Sequence, residues 1–117
     1  MGRISGKAES ALIVHEIMSV LRVGAAGQGY SAQDASWYLF GSVISSPEAA
    51  QDIDLLIVCA SDEIAIRIRV GLPEIASRLP LHTLIMTHEE EAELDFIRGQ
   101  KCVLIYPDCV KGCVFTA

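Results

Sequence analysis

The sequence predicts a small α/β (α+β) domain, a mixed β-sheet flanked by helices, and three observations carry that expectation. Apolar runs of strand length alternate along the chain with segments of helical periodicity. Turn residues punctuate the boundaries, as at Gly41-Ser42 and Ser45-Ser46-Pro47. With 117 residues, 51% of them hydrophobic and 21% charged, the chain has the size and apolar content of one core, and residues 1–117 read as a single domain.

Residues 7–23 place Ala8, Leu12, Ile13, Ile17, Val20 and Leu21 at helical spacings with Glu9, Glu16 and Arg22 between them, which predicts a helix with one buried face. His15 in that helix reads as a solvated or hydrogen-bonded side chain, not as a ligand. Residues 24–29, GAAGQG, are expected to stop the helix and serve as a linker. They follow no strand and lack the Lys-Ser/Thr ending of a phosphate loop. Residues 36–40, SWYLF, predict a short buried strand ending at Gly41-Ser42, and after a loop at Ser45-Ser46-Pro47 residues 52–60, DIDLLIVCA, predict a central strand beside it. Ser61-Asp62-Glu63 has the chemistry of a helix start, and the expected helix is interrupted near Gly71-Leu72-Pro73. Residues 81–86, LHTLIM, read as another strand. Thr87-His88-Glu89-Glu90 then fits a capping box opening a helix to about Arg98, with Gly99 past its end and a last strand at 101–106. The acidic run Glu89-Glu90-Glu91 reads as the first turn of that helix, not as a metal site.

Nine Lys and Arg against fifteen Asp and Glu give a formal charge of -6, which argues against general nucleic-acid binding and against an anionic membrane partner. No stretch reaches the length of an apolar membrane span and the N-terminal residues lack a signal-peptide pattern, so the cytoplasm is the expected location. Cys59 lies in an apolar run and reads as a buried hydrophobe. Cys102, Cys109 and Cys113 lack the two tight pairs of a zinc site and are expected to be free thiols.

The residues that point to chemistry are Gly41-Ser42 and, ten residues on, Asp52-Ile53-Asp54 leading an aliphatic run. Residues i and i+2 of a strand share a side, so Asp52 and Asp54 are expected to present two carboxylates together. Such a pair suits Mg²⁺, which takes few protein ligands and completes its shell with water and substrate phosphates. The glycine admits a phosphate close to the backbone and Ser42 adds a hydroxyl. The plainer alternative makes Asp52 a strand-start cap and Asp54 an edge residue.

Over roughly residues 36–90 this pattern resembles the nucleotidyltransferase superfamily related to DNA polymerase beta, in particular its stand-alone minimal domains in prokaryotes. The resemblance implies a nucleotidyltransferase-like fold, a nucleoside triphosphate held by Gly41 and Ser42, and Mg²⁺ held by Asp52 and Asp54. The implied activity is Mg²⁺-dependent transfer of a nucleotidyl group to a hydroxyl acceptor. A third carboxylate would stand on a neighbouring strand, and here that strand aligns His82 in its place, making His82 the candidate proton acceptor beside Asp52 and Asp54. Residues 43–51, VISSPEAAQ, lack the Arg-Gly common between the motifs of antitoxin-type members. The family's minimal members imply a helical protein partner or a homodimer. The alternative reading is a catalytically silent domain that binds a nucleotide or a partner, as an antitoxin or regulatory subunit does.

Overall fold

Burial along the four strands decides how the layers stack. The computed structural model describes residues 6–31, 33–76 and 79–107. They form α1 (Gly6–Gly27), β1 (Ala35–Phe40), α2 (Ser42–Ser45), a 3-10 turn (Pro47–Ala49), β2 (Ile53–Cys59), α3 (Asp62–Ala76), β3 (Leu81–Thr87), α4 (His88–Leu94), α5 (Phe96–Gly99) and β4 (Val103–Tyr106). The sheet order is β3-β2-β1-β4. β2 pairs antiparallel with β1 and parallel with β3, while β4 runs antiparallel to β1. The mixed sheet with helices is the α/β class expected of the sequence.

Each strand alternates its side chains across the sheet, and the two faces have different covers. On one face Trp37, Leu39, Ile53, Leu55, Ile57, Cys59 and Ile105 form the main core with Leu21 and Ala25 of α1, Val43 of α2, and Ile68 and Leu72 of α3. On the other, Leu56, Val58 and Met86 form a smaller cluster against Tyr38, Phe40, Phe96, Ile97 and Cys102. There the rings of Phe40 and Phe96 meet edge to face, centroids 5.1 Å apart, and fasten α5 to the end of β1.

Both long helices run through the glycines expected to break them. α1 continues through Gly24 because Ala25 is the next residue of its buried stripe, four after Leu21, and docking of that stripe outweighs the weak propensity of one glycine. It ends after Gly27, where the Gln28 and Gly29 amides close onto the Ala25 and Ala26 carbonyls. Val20 is more than a third exposed and lies off the stripe, and the Arg22 side chain donates from Nε to the Ile105 carbonyl at 2.8 Å. Ala8, Glu9, Leu12 and Ile13 fall outside the residues whose side chains are described. α3 likewise passes through Gly71-Leu72-Pro73, since Ile68 and Leu72 are buried four residues apart. Gly71 marks a close approach: a Cβ there would stand 2.8 Å from Gln28 Nε2. Among the described residues no helix is long and apolar enough to cross a membrane.

The capping box is present as expected. Thr87 Oγ1 accepts from the Glu90 amide and Glu90 Oε1 from the Thr87 amide. The helix beyond it is shorter than expected. Asp95 turns left-handed, at φ 52°, and divides α4 from α5, so Gly99 closes α5 instead of lying past it. Glu91 makes that break possible: its Oε2 accepts from the Ile97 amide at 3.0 Å, satisfying a donor freed at the start of α5. Lys101 is also left-handed and β4 starts only at Val103, leaving Cys102 just ahead of the strand. Cys59 and Cys102 are free thiols, and Cys109 and Cys113 lie outside the described residues.

Burial of Cys102 in the smaller cluster pushes its thiol up to about 11, with the nearby Glu91 carboxylate adding to the shift. Folding therefore favours the protonated thiol. That contribution is complete below the ordinary value of 9.0 and is lost as pH rises through about 11. Tyr38 in the same cluster is raised as well, chiefly by burial. Urea unfolding across this window should show stability falling with pH, and Cys102→Ala should make the fall shallower. An unchanged slope would mean that the thiol is solvated.

Candidate functional site

The site lies where the C-terminal end of β1 meets the N-terminal ends of β2 and β3. Antiparallel register pairs Phe40 with Asp54, and parallel register pairs Asp54 with His82. Asp54 is two residues before Leu56, and His82 is four before Met86, so both side chains belong to the lightly covered face of the sheet. His82 Nδ1 lies 3.1 Å from Asp54 Oδ1. An ionised carboxylate only accepts hydrogen bonds, so this contact places a proton on Nδ1, and in the neutral ring Nε2 is then the acceptor. The Asp54 side chain is 24% exposed and that of His82 is 81% exposed. At that exposure the contact orients the ring and contributes little to stability.

Gly41 closes the other side of Asp54. Its backbone, φ 76° and ψ -151°, lies in a region that essentially only glycine occupies. A Cβ at this position would overlap Asp54 Oδ2. Glycine is thus required twice, by its own dihedrals and by the carboxylate that lies against its bare Cα. The Gly41 carbonyl accepts the amides of Ile44 and Ser45, at 3.0 and 3.1 Å, so the tight conformation also starts α2. Ser42, the first residue of α2, is exposed.

Of the sequence-derived residues, Gly41, Asp54 and His82 come together directly and Ser42 follows Gly41 on the surface. Asp52 departs from expectation. It does not belong to β2 but to the exposed bend ahead of Ile53, so the ladder positions Asp54 and leaves Asp52 on a loop. The strand begins late because the connection from Pro47–Ala49 enters the sheet only where Ile53 donates to the Pro80 carbonyl. The contact between Gly41 and Asp54 was not anticipated from the sequence. Its signal was a glycine directly after one strand and an acid near the start of the next, which an antiparallel pairing brings abreast.

Carboxylate oxygens at Asp52 and Asp54 are hard donors of the kind Mg²⁺ takes, and Asp54 Oδ2 lies against the bare Gly41 Cα. The donor set therefore fits Mg²⁺ bound through one or two carboxylates with phosphate and water completing its shell. His82 is a poor ligand for so hard an ion and fits proton chemistry better. Among the described residues no three His, Cys, Asp or Glu side chains gather as a cage able to hold an ion through protein ligands alone.

No protein-family model matches the chain, and neither curated proteins nor solved structures provide a match.

The double demand for glycine at residue 41 is open to direct test. Gly41→Ala should destabilise the fold by about 1–3 kcal/mol in urea unfolding, from backbone strain together with the clash on Asp54. In an Asp54→Ala background the same change should cost about 1 kcal/mol less, because only the backbone part remains. Equal costs in both backgrounds would show that the carboxylate does not lie against the glycine.

Proposed function

We propose that this end of the sheet binds a nucleoside triphosphate and transfers its nucleotidyl group to a hydroxyl, in the manner of the minimal nucleotidyltransferases that residues 36–90 resemble. One observation carries the reading: a single carboxylate, Asp54, is held between a glycine whose conformation excludes any side chain and a histidine brought alongside by the parallel register. A purely structural strand start needs neither neighbour.

In this reading Gly41 lets a phosphate oxygen approach the backbone beside Asp54, and the Ser42 hydroxyl donates to the triphosphate. Asp52 and Asp54 would hold Mg²⁺, which when bound offsets the charge of the triphosphate and of the departing pyrophosphate. Asp54 Oδ1 keeps the Nδ1 proton of His82 in place, and His82 Nε2 accepts the proton released by the acceptor hydroxyl. The acidic surface of the chain leaves the triphosphate dependent on a cation for charge compensation.

Calorimetric titration with a nucleoside triphosphate and Mg²⁺, paired with a labelled-triphosphate transfer assay, tests this reading. Asp54→Asn should weaken triphosphate binding at least about tenfold while the protein stays folded. Ser42→Ala should weaken it by roughly 1–2 kcal/mol, as expected of one hydrogen bond to a charged group. Binding that ignores Asp54→Asn would dismiss the site. The presence of His82 instead of a carboxylate favours a second reading, a silent nucleotide- or partner-binding domain. His82→Asp separates the two: a rise in transfer supports the silent domain, and a loss of transfer with an ascending pH limb moved to lower pH supports His82 as the proton acceptor.

A further inference from the structure

Among the described residues β3 is an edge strand, and its own sequence and register lack the devices that keep such edges apart. Seven residues long, Leu81–Thr87 reads LHTLIMT, with no proline, no lysine and no acid. Natural edges are blunted by charge, proline, bulges or shortness. The register of β3 on β2 is unbroken from Ile53–Leu81 to Cys59–Thr87, so no bulge twists this edge away. In its centre Leu84 is 39% exposed, between the exposed His82 and the buried Met86 on the same face.

The backbone determines which groups face outward. In a parallel ladder alternate residues direct both N–H and C=O to the neighbouring strand. The Ile53 amide donates to the Pro80 carbonyl, which places Pro80 and hence His82, Leu84 and Met86 toward β2. Thr83 and Ile85 therefore turn their amides and carbonyls outward. At the ends of the strand the outward amides are already engaged, Leu81 with the Leu79 carbonyl and Thr87 with Glu90 Oε1. Among the described residues the stretch left unengaged is short and centred on Leu84.

We propose that two copies of the chain associate through this edge, with β3 pairing antiparallel to its counterpart about a two-fold axis at Leu84. The arrangement is self-complementary: Thr83 of each copy exchanges both backbone hydrogen bonds with Ile85 of the other, giving four bonds. Leu84 faces its own equivalent in the close, non-hydrogen-bonded pair at the axis. The ends engaged by Leu79 and Glu90 fall outside this pairing, so nothing already bonded has to be released. On the lightly covered face, contact between the two Leu84 side chains extends the apolar cluster of Leu56, Val58 and Met86 across the axis. It also sets His82 opposite Met86 of the other copy, bringing the second subunit to the border of the candidate site. An edge of this length is a small interface, so the dimer is concentration-dependent. The association does not rest on the nucleotide reading and is measured with no nucleotide present.

Sedimentation equilibrium of the full chain over a wide concentration range should show reversible dimerisation. Thr83→Pro removes an outward amide without touching the ladder to β2, and Leu84→Lys sets two ammonium groups face to face at the axis. Each should weaken association about tenfold or more while the circular dichroism spectrum stays that of the parent. If the proline variant does not fold, Leu84→Lys alone decides. A third variant, Leu84→Cys, should form a disulfide between the two copies at residue 84, identified by peptide mass mapping under mild oxidation. A chain that is monomeric at every concentration, or a dimer that survives Leu84→Lys undiminished, overturns the proposal.

Discussion

Everything else in the fold is arranged around β2, which is hydrogen-bonded along both edges and buried over most of its length. A strand in that position must be nearly all apolar, because any polar side chain would need a partner in an interior without water. Leu55, Leu56, Ile57, Val58 and Cys59 meet that demand from both faces. Asp54 is the one charged side chain in the strand, and it stands next to the end where the helical cover has stopped. Its surroundings follow from β2 pairing antiparallel with one neighbour and parallel with the other. The first pairing brings the end of β1 to it and the second brings the start of β3. One mixed strand thus collects a carboxylate, a glycine turn and an imidazole from three separate parts of the chain.

Most of this order was legible in the sequence because strand burial writes itself as composition. The aliphatic run of β2, the aromatic run of β1 and the LHTLIM run of β3 were read within a residue or two of their observed bounds. The capping box at Thr87 was legible for a different reason, since both its bonds are local. What misled was glycine. Gly24 was expected to stop a helix and Gly71 to interrupt one, yet both are interior, one beside the buried Ala25 and the other where α3 passes close to Gln28. Propensity amounts to roughly 1 kcal/mol per glycine, less than the burial of a single large apolar side chain, so tertiary docking prevailed. The break at Asp95 was missed for the converse reason: it depends on a Glu91 side chain reaching the Ile97 amide, a contact that no periodicity announces.

The candidate site was legible in its parts and not in its geometry. Spacing within a strand placed Asp52 and Asp54 on one side, but the strand begins one residue too late to hold Asp52. Gly41 was read as room for a ligand. In the fold it is first room for Asp54, whose carboxylate lies where a side chain at residue 41 would have to go. The two roles are compatible, since a carboxylate against a bare Cα is held in place while its other contacts remain open to solvent. That combination of fixed direction and access is what a binding site asks of a charged group, and a surface carboxylate on a loop does not have it.

His82 makes the arrangement sensitive to register in a way the rest of β3 is not. Leu81, Leu84 and Ile85 are all aliphatic, so a slip of β3 by one residue would still set apolar side chains on both faces. His82 would be affected most, moving from the face it shares with Asp54 to the face covered by α1 and α3. An imidazole there would have to displace aliphatic packing and find a partner among Leu39, Leu55 and Ile57, which offer none. The penalty for burying that polar ring therefore opposes the slipped register. A residue poorly suited to the middle of a strand is tolerated at its start because there it meets a carboxylate and solvent at once. The observed register thus keeps the imidazole out of the core, and the exposed contact with Asp54 orients the ring.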